Sequence, residues 1–321
     1  MTGLFDLHCD TAFEIYKHKE KLYSNNHGVS IDKFSVFKNK AQLFAIWSDN
    51  EKTEDETYLD FLHITTEFLS HLEENAEFTA LCKTREDLKN CLGEGKLASL
   101  LSVEDAKLLS GDISRLEKLY NTGVRVLTLG WKGHSCVGGS YDTDDGLSEF
   151  GFEVLRECER LGITVDVSHL SEKGFWDVAG KATKPFIATH SNASILCAHK
   201  RNLTDIQFRT IAQSGGICGI SLVGKHLSKT LPGEKSEDLN TVFDTVCSHI
   251  EHFLSIDEKA VCLGLDLDGT EPLAGLENVS KIPALYEALT NRGLDEKTAD
   301  SVFFNNAYNF FETNLPEKNV Q

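Results

Sequence analysis

Five apolar runs of this chain end in, or carry, side chains that bind metals. LFDLHCD (4–10) ends in His8, Cys9 and Asp10, and LASLLSVED (97–105) ends in Glu104 and Asp105. ITVDVSH (163–169) ends in His169, PFIATHS (185–191) carries His190, and AVCLGLDLD (260–268) ends in Asp266, Leu267 and Asp268. Imidazole and carboxylate together suit Zn²⁺ and neighbouring divalent cations. Three histidines with two or three carboxylates exceed one four-coordinate site. A carboxylate such as Glu104 can bridge, so a two-metal centre is the natural partition. Two ions roughly 3.5–4 Å apart hold a shared hydroxide and polarise a carbonyl together. Taken singly, a strand-end histidine is ordinarily a hydrogen-bonded structural residue, and Asp105 and Ser191 read as N-caps of the segments after them. Capping needs no histidine, so it does not account for five such ends.

These ends must be brought together by the elements that carry them. Three further runs of the same kind, AQLFAIW (41–47), VRVLTLG (124–130) and GICGISLV (216–223), bring the total to eight. Amphipathic stretches separate them: 55–75, 113–123, 150–162, 204–216 and 239–255. Near-continuous apolar strands alternating with helices predict a parallel sheet covered by helices. Eight of them predict a closed (β/α)₈ barrel of the TIM type, whose strand C-termini and following loops build the active site. Alternation along the first strand puts His8 and Asp10 on one side and Cys9 on the other. No G-x-G-x-x-G follows the first strand, there is no Walker A sequence, and GEGKLAS (93–99) has the wrong spacing for a P-loop. Nucleophilic catalysis also finds little support, because G-x-S-x-G is absent and Cys9 is flanked by apparent ligands.

Composition bounds the partners. The 321 residues are 40% apolar and 26% charged, with a net charge of −18, so an acidic globular chain is expected. That charge argues against nucleic acid and against an anionic membrane surface. Nine scattered cysteines without a C-x-x-C are expected to be reduced and mostly buried. The opening MTGLFDLHCD brings charge at Asp6, and no run approaches bilayer-spanning length, so a cytoplasmic location is expected. With no Pro- or Gly-rich linker, 1–321 reads as one barrel domain.

At this point the residues resemble a family. DLHCDT (6–11) is similar to the D-G-H-N-D-T opening of the membrane dipeptidase (renal dipeptidase) family of the amidohydrolase superfamily. SVED (102–105), GVRVLTL (123–129), GLSEFG (146–151) and GITVDVSHLS (162–171) continue the resemblance in order. ATHSNA (188–193), HKRNLTD (199–205), GLDLDG (264–269) and a closing helix around Asn306 complete it. The resemblance implies a binuclear zinc dipeptidase. It assigns His8, Asp10 and a bridging Glu104 to one zinc, and His169 and His190 with Glu104 to the second. Arg201 then engages the substrate carboxylate, while Asp266 meets the free amino group and handles protons. The substrate is a small dipeptide, including ones with a C-terminal D-residue, and a homodimer is compatible with the family. One departure stands out: TLGWK (128–132) puts Trp131 where the family often has a histidine, with His134 three residues on. Two rival readings remain open here. One keeps barrel and metals but cleaves another amide, a lactam or a lactone; the other is a catalytically weak metal-containing binding protein. Among the remaining histidines, His63, His71, His249 and His252 read as surface residues, whereas His18 and His27, in a polar segment after the first strand, and His226, after the seventh, are left open.

Overall fold

The apolar runs fold as parallel strands, each separated from the next by at least one helix or long loop. A computed structural model describes residues 1–49, 51–229 and 238–317. Its strands are β1 (Gly3–Cys9), β2 (Asn39–Ile46), β3 (Thr79–Leu81) and β4 (Leu97–Glu104), followed by β5 (Val124–Thr128), β6 (Thr164–Asp166), β7 (Cys218–Ile220) and β8 (Val261–Leu263). Neighbouring strands run β6-β5-β4-β2-β1-β8-β7. The two ends are joined by the sixth apolar run, which makes single parallel bridges from Ile187 to Asp166 and from Ala188 to Cys218. Backbone N–H groups of Ile187 and Ala188 donate to Val165 and Ile217, so this short segment serves as a stave. Eight staves therefore close the barrel that the sequence predicts. β3 was not expected; it pairs only with the lower half of β4, from Thr79–Leu97 to Leu81–Ser99.

Two buried clusters show which way each strand faces. Phe5, Leu7, Ala41, Leu43, Ala98, Leu100, Val126, Ile187, Ile217 and Cys262 pack together inside the barrel, against Phe304, Phe310 and Phe311 at its floor. The opposite strand faces, including Phe44, Leu101, Leu127 and Leu263, pack with helix residues such as Phe61, Phe68 and Val154. On β4, Ala98 and Leu100 thus share their inward face with Glu104, as a period of two requires.

β1 breaks that rule. Phe5 and Leu7 point inward, so strict alternation would turn His8 out toward the helices. The β1–β2 register shifts between Asp6 and Cys9, placing Asp6 opposite Gln42 but Cys9 opposite Phe44. This bulge inserts one residue and re-aims the strand end. His8 and Asp10 then face the barrel mouth while Cys9 joins the outer cluster.

The expected helices appear as Glu54–Glu74, Ser114–Thr122, Glu149–Leu161, Asp205–Gln213 and Leu239–Leu254. Further helices at Thr11–His18, Arg85–Gly93, Glu172–Lys181 and Ile282–Asn291 were not read from the sequence. The closing segment is a π turn, Ser301–Asn305, leading into helix Asn306–Asn314, and Asn306 Nδ2 donates to the carbonyls of Glu258 and Val261. Two surface assignments are corrected: His71 and His249 are buried. Each lies on the inner stripe of an amphipathic helix, where its ring packs inward despite charged sequence neighbours. All nine cysteines are free, eight of them buried and Cys136 half-buried. Among the described residues, no helix is long and apolar enough to cross a membrane.

Candidate metal centre

The barrel mouth gathers the strand-end residues into one cluster. His8 Nε2 lies 3.5 Å from Asp10 Oδ2, 3.5 Å from Glu104 Oε2 and 3.8 Å from Asp266 Oδ1. The other oxygen of Glu104 lies 2.9 Å from His169 Nε2 and 3.6 Å from His190 Nε2. One carboxylate therefore stands between two groups of imidazoles. Ligand atoms of His8, Glu104 and His190, and those of His8, Asp10 and Asp266, fall within 4.8 Å of one another. Two ligands bound 2.0–2.1 Å from a common tetrahedral zinc stand roughly 3.3 Å apart, close to the His8–carboxylate separations.

Proton positions at the second pair of histidines test whether a cation fits. His169 Nδ1 is 3.1 Å from the carbonyl of Trp131. A carbonyl only accepts, so the neutral ring carries its proton on Nδ1 and offers a bare lone pair at Nε2. That lone pair faces His190 Nε2 at 2.8 Å. His190 Nδ1 is in turn 2.8 Å from Thr189 Oγ1. On the other side, both ring nitrogens of His8 and Oδ1 of Asp10 are buried with no hydrogen-bond partner. Buried polar atoms are rarely left orphaned. Donor atoms that converge without partners, from hard carboxylates and borderline imidazoles, fit divalent zinc.

Electrostatics agree with a site built for positive charge. Burial opposes charging His8, yet the carboxylates of Glu104 and Asp10 outweigh it and hold its imidazole well above the usual range. Burial, with Arg201 and His8 nearby, keeps His169 and His190 well below theirs, so both are neutral ligand-type rings. Burial also pushes Glu104 up to about 7 and Asp266 up to about 8, against the pull of His8. His169, Asp266, Asp268 and Asp105 all adopt positive φ, between 61° and 76°. Non-glycine residues are sparse there, and such strain concentrates at functional sites. Asp105 does cap the turn after β4, by accepting from Lys107 N–H. Ser191 caps nothing, and its hydroxyl is buried without a partner.

A cavity of about 370 Å³ opens over this cluster. Asp10, Glu104, His169 and Asp266 line it beside Arg201, Trp131, Tyr141 and His226. Arg201 is buried, with its Nε unbonded and its Nη2 donating to the His190 carbonyl at 3.4 Å. No carboxylate pairs with it among the described residues. Trp131 continues an aromatic wall, with ring centroids 5.5 Å from Trp47, itself 4.9 Å from Phe13. His134 is not brought to the cavity. It is exposed and bonded to Asp145 Oδ2 at 2.7 Å, because the loop after β5 turns it outward. His18 faces Glu14 and His27 borders a separate cavity of about 430 Å³, so neither lines this one.

Sequence reasoning missed Phe13, Trp47 and Tyr141, which carry no ligand chemistry and look like ordinary core aromatics. It also passed over Asp166, three residues before His169. A second cavity of about 850 Å³ shares Tyr141, His169 and Arg201 with the first.

Comparison with known proteins adds an independent finding. The profile described as membrane dipeptidase (peptidase family M19) matches residues 1–318. An uncharacterized protein in the pqqA 5′ region of Klebsiella pneumoniae is 34% identical over 235 residues, covering 70% of this chain and 85% of that protein. The crystal structure of dipeptidase AC, an M19 metallo peptidase, superposes with a TM-score of 0.89 at 26% identity, over 98% of this chain and 99% of that one. A metallo peptidase from Rhodobacter sphaeroides, liganded with a phosphinate mimic of the dipeptide L-Ala-D-Ala, also gives 0.89, at 24% identity over 97% and 99%.

Proposed function

The chain belongs to the membrane dipeptidase family and is a metallo-dipeptidase; from that premise we propose that His8, Asp10, Glu104, His169 and His190 hold two zinc ions bridged by Glu104. The observation that carries the reading is the placement of Glu104. Its two oxygens face different histidines, Oε2 toward His8 and Oε1 toward His169 and His190. When bound, the ions supply Lewis acidity that polarises a carbonyl and lowers the pKa of water toward about 7.

The remaining chemistry belongs to the chain's own side chains. Arg201 presents a buried, permanently charged fork to the C-terminal carboxylate of the substrate, a match a lysine would not reproduce. Asp266, beside His8, meets the free amino group; its carboxylate takes the proton that the attacking water loses and returns it to the leaving nitrogen as the peptide C–N bond breaks. Reading both ends of the substrate by charge favours dipeptides, because each further residue moves the two termini apart by up to about 3.3–3.6 Å. Phe13, Trp47 and Trp131 exclude water from one side and offer that wall to an apolar side chain. The reading includes dipeptides with a C-terminal D-residue.

Metal analysis paired with a dipeptide library in both stereoisomers tests this. Two zinc ions per chain, turnover of dipeptides but not tripeptides, and loss of activity with chelator are expected. Glu104→Gln should abolish turnover and reduce bound zinc to one or none. Full activity in that variant, or hydrolysis insensitive to chelator, would sink the proposal.

A further inference from the structure

Beneath the metal ligands lies a buried carboxylate with no metal-facing role. Asp166 ends β6 and is fully buried. Its Oδ1 accepts from the backbone N–H groups of Ser168 and Thr189, both at 2.9 Å. Its Oδ2 accepts from the hydroxyls of Thr128 and Thr189, both at 2.6 Å. Four donors converge on one side chain, which is the complement an ionised carboxylate takes.

The position of each proton then follows. A threonine hydroxyl has one hydrogen, and Thr189 gives it to Asp166. Thr189 Oγ1 therefore faces His190 Nδ1, 2.8 Å away, as an acceptor only. His190 must carry its proton on Nδ1, leaving Nε2 as a bare lone pair toward Glu104 and His169. The backbone is shaped for the same purpose. A Cβ on Gly219 or Gly264 would collide with the Thr189 carbonyl, so glycine at both places lets this segment enter the barrel.

We propose that Asp166 is a positioning residue that acts through Thr189 to fix the Nδ1–H tautomer of His190 and hold its Nε2 ready for the second zinc. The inference rests on the two-zinc reading, but the tautomer can be measured apart from it. Trp131 does the same for His169 through a backbone carbonyl, which no substitution alters; Asp166 is the half of the arrangement that mutation can reverse.

Asp166→Asn is the decisive variant. The two backbone N–H groups require an oxygen at the Oδ1 position, so the new amide nitrogen must sit at Oδ2. There it donates to Thr189 Oγ1 instead of accepting. The hydroxyl proton of Thr189 is released toward His190 Nδ1, which at 2.8 Å is nearer than Ser168 Oγ at 3.4 Å, and the ring proton moves to Nε2, where it competes with zinc. Because two bare Nε2 lone pairs 2.8 Å apart need a cation between them, the test is made on the zinc-loaded protein. Nitrogen-15 spectra, with His190→Gln used for assignment, should show a hydrogen-bonded, exchange-protected Nδ1–H on His190 in the wild type and loss of that protection in Asp166→Asn. Zinc competition should show a roughly 10–100-fold weaker second site in the variant. If Asp166→Asn fails to fold, Thr189→Val and Thr189→Ser replace it. The valine should weaken the second zinc to the same extent and the serine should restore it. Absence of a protected Nδ1–H in the zinc-loaded wild type would overturn the proposal, as would an unchanged Nδ1–H signal in Asp166→Asn or equal zinc affinity in the two Thr189 variants. Failure of the wild type to bind a second zinc, with the Nδ1–H tautomer present, would instead count against the two-zinc reading.

Discussion

Arg201 keeps its charge inside the protein with Nε unbonded and the His190 carbonyl 3.4 Å from Nη2; Asp266 and Glu104 favour its charge through space, but no carboxylate bonds it among the described residues. A guanidinium in that state is held ready for an anion, since burial without a partner is costly. Arg201→Lys preserves the charge but loses the fork. With charge-assisted hydrogen bonds contributing about 1.5–3 kcal/mol, kcat/KM for dipeptides should fall roughly 10- to 150-fold, mainly through KM. Bound zinc should not change. Steady-state kinetics with metal analysis checks this, and an unchanged kcat/KM would remove Arg201 from substrate binding. Residue type pointed to three histidines and two or three carboxylates at strand ends as a set that capping does not explain, and the family resemblance narrowed them to His8, Asp10, Glu104, His169 and His190. Residue type did not reveal the cavity's aromatic wall, since Phe13 and Trp47 have the same composition as core.

Elements explain both what was legible and what was not. The apolar runs located every stave of the barrel, and the period of two along β4 accounts for the inward face of Glu104 that the structure shows. The bulge in β1 was hidden, because one inserted residue leaves an apolar run looking regular. Helix Leu239–Leu254 hid a further residue, His249. Its Nδ1 accepts from the N–H of Ala193 and its Nε2 donates to the Leu227 carbonyl, which pins the loop after His190 to this helix. Burial lowers its pKa from the ordinary 6.5. In the folded state the ring stays neutral, while the unfolded chain takes up a proton below about 6.5. Its contribution is therefore complete above that pH and declines as pH falls, by at most about 1.4 kcal/mol per pH unit. His249→Gln should lose roughly 1–3 kcal/mol near neutral pH, through orphaned backbone groups. The gap from wild type should narrow toward pH 5. Denaturant midpoints across that range check the sign, and a gap that widens in acid would contradict it.

For the molecule as a whole, the −18 charge and the metal cluster belong to one account. Most acidic residues coat the surface, but Asp10, Glu104 and Asp266 are buried together at the mouth. Three such carboxylates repel one another until cations join them. The proposed ligands come from the end of β1, from β4, and from the loops after β6 and after the short stave at 187–188, so ions bound to them would tie opposite sides of the barrel. Ligands that bind only the folded state stabilise it by mass action, about 2.7 kcal/mol at a hundredfold excess over Kd. Chelation should lower Tm by several degrees, and zinc should restore it in a concentration-dependent way. Thermal melts with and without chelator measure this; an identical Tm would mean that the metals do not brace the barrel.

Although His169, Asp266 and Asp268 lie in the loops after β6 and β8 rather than on the strands, the sequence by itself determined the barrel and the order of its staves, and it put metal-type residues near their C-terminal ends. These follow from local rules, namely periodicity, apolar run length and the chemistry of single side chains. Only the tertiary structure decided which way His8 faces, that His134 turns to solvent, that His249 is buried and that Thr189 stands between Asp166 and His190. Each of these depends on where a backbone stands relative to residues distant in sequence. A one-residue bulge, a carbonyl lodged against two glycines and a single shared proton leave no periodic trace in the chain.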